Sequence, residues 1–158
     1  MKRDCIPFFF AAVIGCMLLL TSCNASKSES DTLLVENSLD PAALEQLDVE
    51  QEAIAPLYLP SEPYANSSYH KSGFSATIAA DYNIIANFEF CKLASGASDE
   101  HFPSPGKALV TQSNDTIILY YRMSDSYGCI IASDALSKQE LEKIINSFTI
   151  RSIPAPFS

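Results

Sequence analysis

"KALVTQSNDTIILYYRMSDSYGCIIAS", residues 107–133, decides the fold of this chain. Its apolar residues recur at every second position. That period throws alternate side chains to opposite faces of an extended backbone, which is the signature of a strand half-buried in a sheet. Asn114-Asp115 separates the first two runs, and both residue types tolerate a left-handed backbone, so a tight turn joins two antiparallel strands there. Along the second run Ile117, Leu119, Tyr121 and Met123 share one face, with Thr116, Ile118, Tyr120 and Arg122 opposite. "SDSYG", 124–128, then returns the chain into a third strand at Cys129-Ile130-Ile131.

Flanking segments extend the pattern. "YNIIANFEFCK", 82–92, alternates with Ile84, Ala86, Phe88 and Phe90 on one face, and Asn87, Glu89 and Cys91 on the other. A shorter strand covers about Phe74 to Ala79. After the triple comes "SKQELEKIINSF", 137–148, where the period changes to that of a helix. Ser137 caps it, Glu140 completes a capping box, and Leu141, Ile144, Ile145 and Phe148 form the apolar stripe. A lone amphipathic helix after antiparallel strands buries its stripe on the sheet. The expected fold is therefore α+β: one antiparallel sheet of about five strands packed against a C-terminal amphipathic helix, over residues 57–153, with a short tail at 154–158.

The N-terminus is of another kind. "MKRDCIPFFFAAVIGCMLLLTSC", 1–23, has a basic head at Lys2-Arg3, an apolar run from Ile6 to Leu20, and small residues after it, the pattern of an export signal. The run is 15 residues long (6 to 20), short of the roughly 20 needed to span a bilayer. Leu20-Thr21-Ser22-Cys23 resembles the lipobox of bacterial lipoproteins, with Thr21 and Ser22 where other small residues are commoner. The resemblance implies a diacylglyceryl group on the Cys23 thiol, cleavage before Cys23, and a mature protein held on the extracytoplasmic side of a membrane by its acyl chains. Asn24, rather than Asp, after the cysteine implies an outer-membrane address where the cell has two membranes. An uncleaved anchor with Cys23 as a bystander is the alternative.

The full chain has 158 residues and a formal charge of −9. Removal of 22 residues leaves 136, and loss of Lys2, Arg3 and Asp4 from 10 basic and 19 acidic side chains leaves 8 and 18. A chain this acidic lacks the clustered Lys and Arg that phosphate contacts require, so nucleic acid is excluded as a partner. The lipid bilayer is the expected partner through Cys23, with an envelope protein as the second. Residues 23–56 are expected to be an acidic tether. Asp40 and Pro41 signal a short helix within it, with Leu44, Leu47 and Ile54 near one face. With Cys23 consumed, Cys91 and Cys129 remain as a candidate disulfide, two buried thiols being the alternative.

From Leu59-Pro60 through "LSKQEL", 136–141, to Ile144 and Ser147-Phe148, the order of elements resembles a small domain of unknown function found in lipoproteins and at the extracytoplasmic ends of anti-sigma factors of Gram-positive bacteria. The likeness covers about ninety residues, of which the last forty carry it. It implies the sheet-and-helix fold and brings no catalytic residue.

Catalytic motifs are absent from the sequence. Gly106-Lys107 mimics the end of a phosphate-binding loop, but His101 stands where its first glycine belongs. There is no G-x-S-x-G, C-x-x-C or H-E-x-x-H, and no cofactor is expected. The long loop 93–107 places Asp99, Glu100 and His101 in a row, which are candidates for a metal or acid–base site, a solvated acidic loop being the alternative. His70 is the other histidine. Tyr64, Tyr69, Tyr120 and Tyr127 are candidates for a binding face. The expected function is that of a non-enzymatic, membrane-anchored binding lipoprotein. The alternatives are an envelope enzyme or metal-binding protein using the 93–107 loop, and a structural or stress-response envelope lipoprotein.

Overall fold

A computed structural model describes residues 31–48, 50–94 and 101–153. The described residues form nine strands and two helices. In chain order these are β1 Asp31–Leu34, α1 Pro41–Glu45, β2 Glu52–Pro56, β3 Ser68–Ser72, β4 Ser75–Ala80 and β5 Asn83–Lys92. They continue with β6 Lys107–Ser113, β7 Thr116–Arg122, β8 Tyr127–Ser133, α2 Lys138–Asn146 and β9 Phe148–Ser152. Seven strands make one antiparallel sheet in the order β1-β6-β7-β8-β5-β4-β3, and β2 pairs with β9 in a second, two-stranded sheet. Among the described residues no helix is long and apolar enough to cross a membrane.

The centre of the sheet follows the alternation in 107–133. Ser113 pairs with Thr116 across the Asn114-Asp115 turn, and Asn114 adopts φ 55°. Leu119, Tyr121 and Met123 point inward with Cys129 and Ile131 of the next strand, and all five are buried. Phe88 and Phe90 of β5 join them, and Phe148 packs its ring against Phe88, Phe90 and Tyr121. Burying one such side chain contributes about 1.5–3 kcal/mol, so this inner layer dominates the stability.

The expected five strands are too few. β1 is four residues long and β3, "SYHKS", is an edge strand that reads as polar loop. The helix forms as its cap dictates, with the Ser137 hydroxyl accepting from the Glu140 N–H at 3.2 Å. It is not the C-terminal element, however. It ends at Asn146, and Phe148, read as the last residue of its stripe, opens β9. The Glu140 carboxylate does not close the capping box. It accepts from the Tyr58 hydroxyl at 2.6 Å and from Lys143 Nζ at 2.7 Å, and these two donors hold it below the usual carboxylate range.

Residues 31–56 are a second correction. The described part of this stretch belongs to the domain instead of forming a tether. β1 adds to the sheet edge along β6, β2 pairs with β9, and Val35, Leu44 and Ile54 enter the core. Asn37 fastens the stretch from within: its Nδ2 donates to the Tyr121 hydroxyl at 2.6 Å and to the Ile145 carbonyl at 3.1 Å. α1 forms on the Asp40 cap, whose carboxylate accepts from Ala42 N–H at 2.9 Å. It stops after one turn because Asp48 competes for the backbone, its carboxylate taking Glu50 N–H and its carbonyl taking Gln51 and Glu52 N–H. Ile54 therefore lies in β2, not on a helix face.

A third correction concerns β5. Ile78 pairs with Ala86 but Ala79 pairs with Ile84, so Ile85 is an extra residue on the β5 side. This bulge shifts the alternation by one position. Ile85 is buried and Ile84, expected inside, is 58% exposed.

Candidate functional site on the outer face of the sheet

The described helices contribute Leu44, Leu141, Ile144 and Ile145, and the two-stranded sheet Ile54 and Phe148, to one core cluster on the inner face of the large sheet. The register places Leu109, Tyr120, Ile130 and Glu89 in one row across β6, β7, β8 and β5 on the other face. Thr111, Ile118, Ala132 and Asn87 form the next row. Leu109, Ile118, Tyr120, Ile130 and Ala132 are half-buried. They make an apolar strip bordered by Thr111, Asn87 and Glu89, an apolar centre with a polar rim.

One end of the strip is closed by the return of the 93–107 loop. The Phe102 ring stands edge-on to Tyr120, with centroids 5.9 Å apart, and the His101 ring lies 5.7 Å from the same tyrosine. Gly128 makes this possible. A Cβ there would come within 2.6 Å of Phe102 Cε1, so any larger residue displaces the ring from the strip. The structure thus places His101 against an aromatic ring. Asp99 and Glu100 lie outside the described residues. Among the described residues no three His, Cys, Asp or Glu side chains are grouped to hold a metal ion.

The candidate disulfide is not formed. Cys91 pairs with Gly128 and Cys129 with Phe90, so the two cysteines are diagonal neighbours on opposite faces of the sheet. Cys129 is a fully buried thiol whose pKa burial pushes well up, which leaves it inert as a nucleophile. Cys91 is half-buried on the outer face.

Of the tyrosines proposed for a binding face, Tyr120 alone stands in the strip. Tyr69 and Tyr127 face inward, with the Tyr69 hydroxyl donating to the Ile54 carbonyl at 2.8 Å. Burial pushes the Tyr69 phenol far above its usual range. Tyr64 donates to the Ala135 carbonyl at 2.5 Å. Sequence reasoning missed Tyr82, which is fully exposed at φ 67° in the two-residue turn between β4 and β5, beside Asp81 at φ 49°. Two successive positive φ values mark the turn whose twist matches paired strands. A bulky residue in that conformation costs roughly 1–3 kcal/mol.

Beside that turn lies an open cavity of about 400 Å³ lined by Asn66, Ser68, His70, Ala79, Asp81 and Tyr82. His70 Nε2 and the Ser68 hydroxyl are 2.8 Å apart there, both projecting from β3. Ser68 and His70 share a strand face at i and i+2, which explains the contact without any catalytic role. In the comparisons with known proteins, no family model, no curated protein and no solved structure matches the chain.

Proposed function

We propose that the chain is a membrane-anchored extracytoplasmic lipoprotein, acylated at Cys23, that works without a cofactor by contact with another envelope protein. The observation that carries the contact half of this reading is the strip of Leu109, Ile118, Tyr120 and Ile130, which among the described residues is overlaid only at one end, by His101 and Phe102. In an antiparallel sheet with one face packed on the core, the other face is normally polar. Here its centre is apolar, and apolar side chains gathered on an exposed surface mark interaction sites. The lipobox carries the anchoring half, since two acyl chains hold stably where one holds only marginally.

Site-specific photo-crosslinking in native membranes tests the contact. A photoreactive side chain at position 120 is expected to trap a discrete adduct that Ile118→Glu abolishes, while the same group at Lys143, on the exposed side of α2, traps none. Identical adduct patterns from both positions would overturn the assignment of the strip. The intact mass of the mature protein tests the anchor, and a mass without a diacylglyceryl group on residue 23 removes that half.

A further inference from the structure

Three of the four described non-glycine residues with a positive φ line one cavity: Asn66 at 55°, Asp81 at 49° and Tyr82 at 67°. Asparagine and aspartate adopt that backbone readily and a bulky residue rarely, so the Tyr82 ring is held there against its local preference. Residues kept in such conformations cluster where ligands are received. The cavity measures about 400 Å³, within the range of ligand sites, and opens to solvent. It sits on the outer face near the β3 edge, where Thr77 and His70 continue the row that runs through Ile118, Ala132 and Asn87. The apolar strip ends on β8 and the cavity begins on β4, with β5 between them.

We infer that this cavity binds a neutral sugar ring, with Tyr82 as its stacking platform. The inference rests on neither the Cys23 anchor nor the apolar strip. Other ligand classes fit the lining less well. Among the described residues it holds one carboxylate and no lysine or arginine, so a phosphate or other anion meets repulsion. Apart from Ala79 and the Tyr82 ring the lining is polar, and a wholly apolar ligand would strip water from it without replacing the hydrogen bonds. A quaternary ammonium finds one ring instead of an aromatic cage, and it has no donor for the polar groups.

A pyranose has what these groups require. Its hydroxyls donate to Asp81 and exchange hydrogen bonds with Asn66 and Ser68. Its C–H face carries slight positive charge and lies on the negative face of an aromatic ring. The Tyr82 ring is fully exposed and available for that contact. The Ser68 hydroxyl and His70 Nε2, 2.8 Å apart, hold each other in place and leave His70 Nδ1 for the ligand. Groups ordered before binding lose less entropy on binding.

Saturation-transfer NMR tests the site, on the full-length protein in a zwitterionic detergent that contains no sugar. The probes are cellotriose, maltotriose and the N-acetylglucosamine trisaccharide, with glucose 6-phosphate and choline for comparison. At least one trisaccharide is expected to receive saturation, strongest on the protons of one ring face. Tyr82→Asn relieves the backbone, so its thermal midpoint should equal or exceed that of the parent, while its affinity falls at least about tenfold. Tyr82→Phe should keep affinity within about threefold, since the ring remains. Ile118→Glu, in the strip, should leave sugar binding unchanged. Sedimentation with isolated peptidoglycan separates the two sources of such rings. Cosedimentation that Tyr82→Asn removes assigns the site to the polymer, and protein left in solution with saturation transfer retained assigns it to free oligosaccharide. No transfer to any trisaccharide at about 10 mM, equal affinity in the folded Tyr82→Asn variant, or tighter binding of choline or glucose 6-phosphate overturns the inference.

Discussion

Ile130 and Ile131 are neighbours on one strand, yet they occupy different surroundings. Ile131 is fully buried in the inner layer with Leu119 and Phe88, while Ile130 is half-exposed beside Tyr120 and Leu109. The two faces share every backbone hydrogen bond of the sheet, so the difference lies in what covers them. α2, α1 and the β2–β9 pair close the inner face, while among the described residues His101 and Phe102 lean over one end of the outer strip. Residues of the same type on one strand thus serve stability on one side and contact on the other.

The largest expected effect comes from breaking the inner face. Ile131→Ala should cost about 2–5 kcal/mol, because a buried side chain is lost and the surrounding layer relaxes only in part. Ile130→Ala should cost less than about 1 kcal/mol. Urea denaturation midpoints of the two variants give the ratio directly, and equal losses would erase the distinction between the faces.

An intermediate effect sits where the outer face is tight. Gly128→Ala should cost about 1–3 kcal/mol, since its new methyl meets the Phe102 ring. Phe102→Ala in the same chain should recover most of that loss. A double-mutant cycle by denaturation measures the coupling, and additive losses would place the strain elsewhere.

The smallest effect probes a flaw in the inner layer. Among the described residues the buried Tyr127 hydroxyl has no hydrogen-bond partner, whereas the Tyr121 hydroxyl accepts from Asn37. Tyr127→Phe should leave stability within about 0.5 kcal/mol of the parent or raise it, and Tyr121→Phe should lower it by about 1 kcal/mol. Thermal unfolding of the pair shows the order, and a clear loss in Tyr127→Phe would reveal a partner for that hydroxyl.

Local signals were legible along the chain and distant pairings were not. The Asn114-Asp115 turn, the Ser137 cap and the Asp40 cap each depend on residues within four positions, and each forms where the residue types demand it. β1 and β2 depend on partners far along the chain, and their acidic surroundings resemble a solvated linker when read alone. The β5 bulge is invisible to a strict two-residue period because the period is what it breaks. In the candidate site, Tyr120 was legible from alternation. The apolar strip was not, since it is assembled from Leu109, Ile118 and Ile130 on three strands that meet only in the sheet. Tyr82 sits at a turn where asparagine or glycine would be expected, and nothing in its neighbours announces it.

The pairing of β2 with β9 has a kinetic side. Ala55 faces Thr149 and Ile54 faces Ile150, so these contacts join residues nearly a hundred positions apart. Closing so long a loop brings no reward until the last strand has been made, which slows folding relative to a chain of local contacts. β3 to β5 and β6 to β8 are each joined in order by neighbouring pairings, and these two meanders, linked by the β5–β8 contact, are equipped to assemble first. Until residue 152 arrives, β2 has no ladder to join and the inner layer lacks Phe148, the ring on which three other aromatics converge. The chain therefore commits to its final form only when nearly all of it is present, and a truncation that removes β9 should leave a sheet that forms without closing.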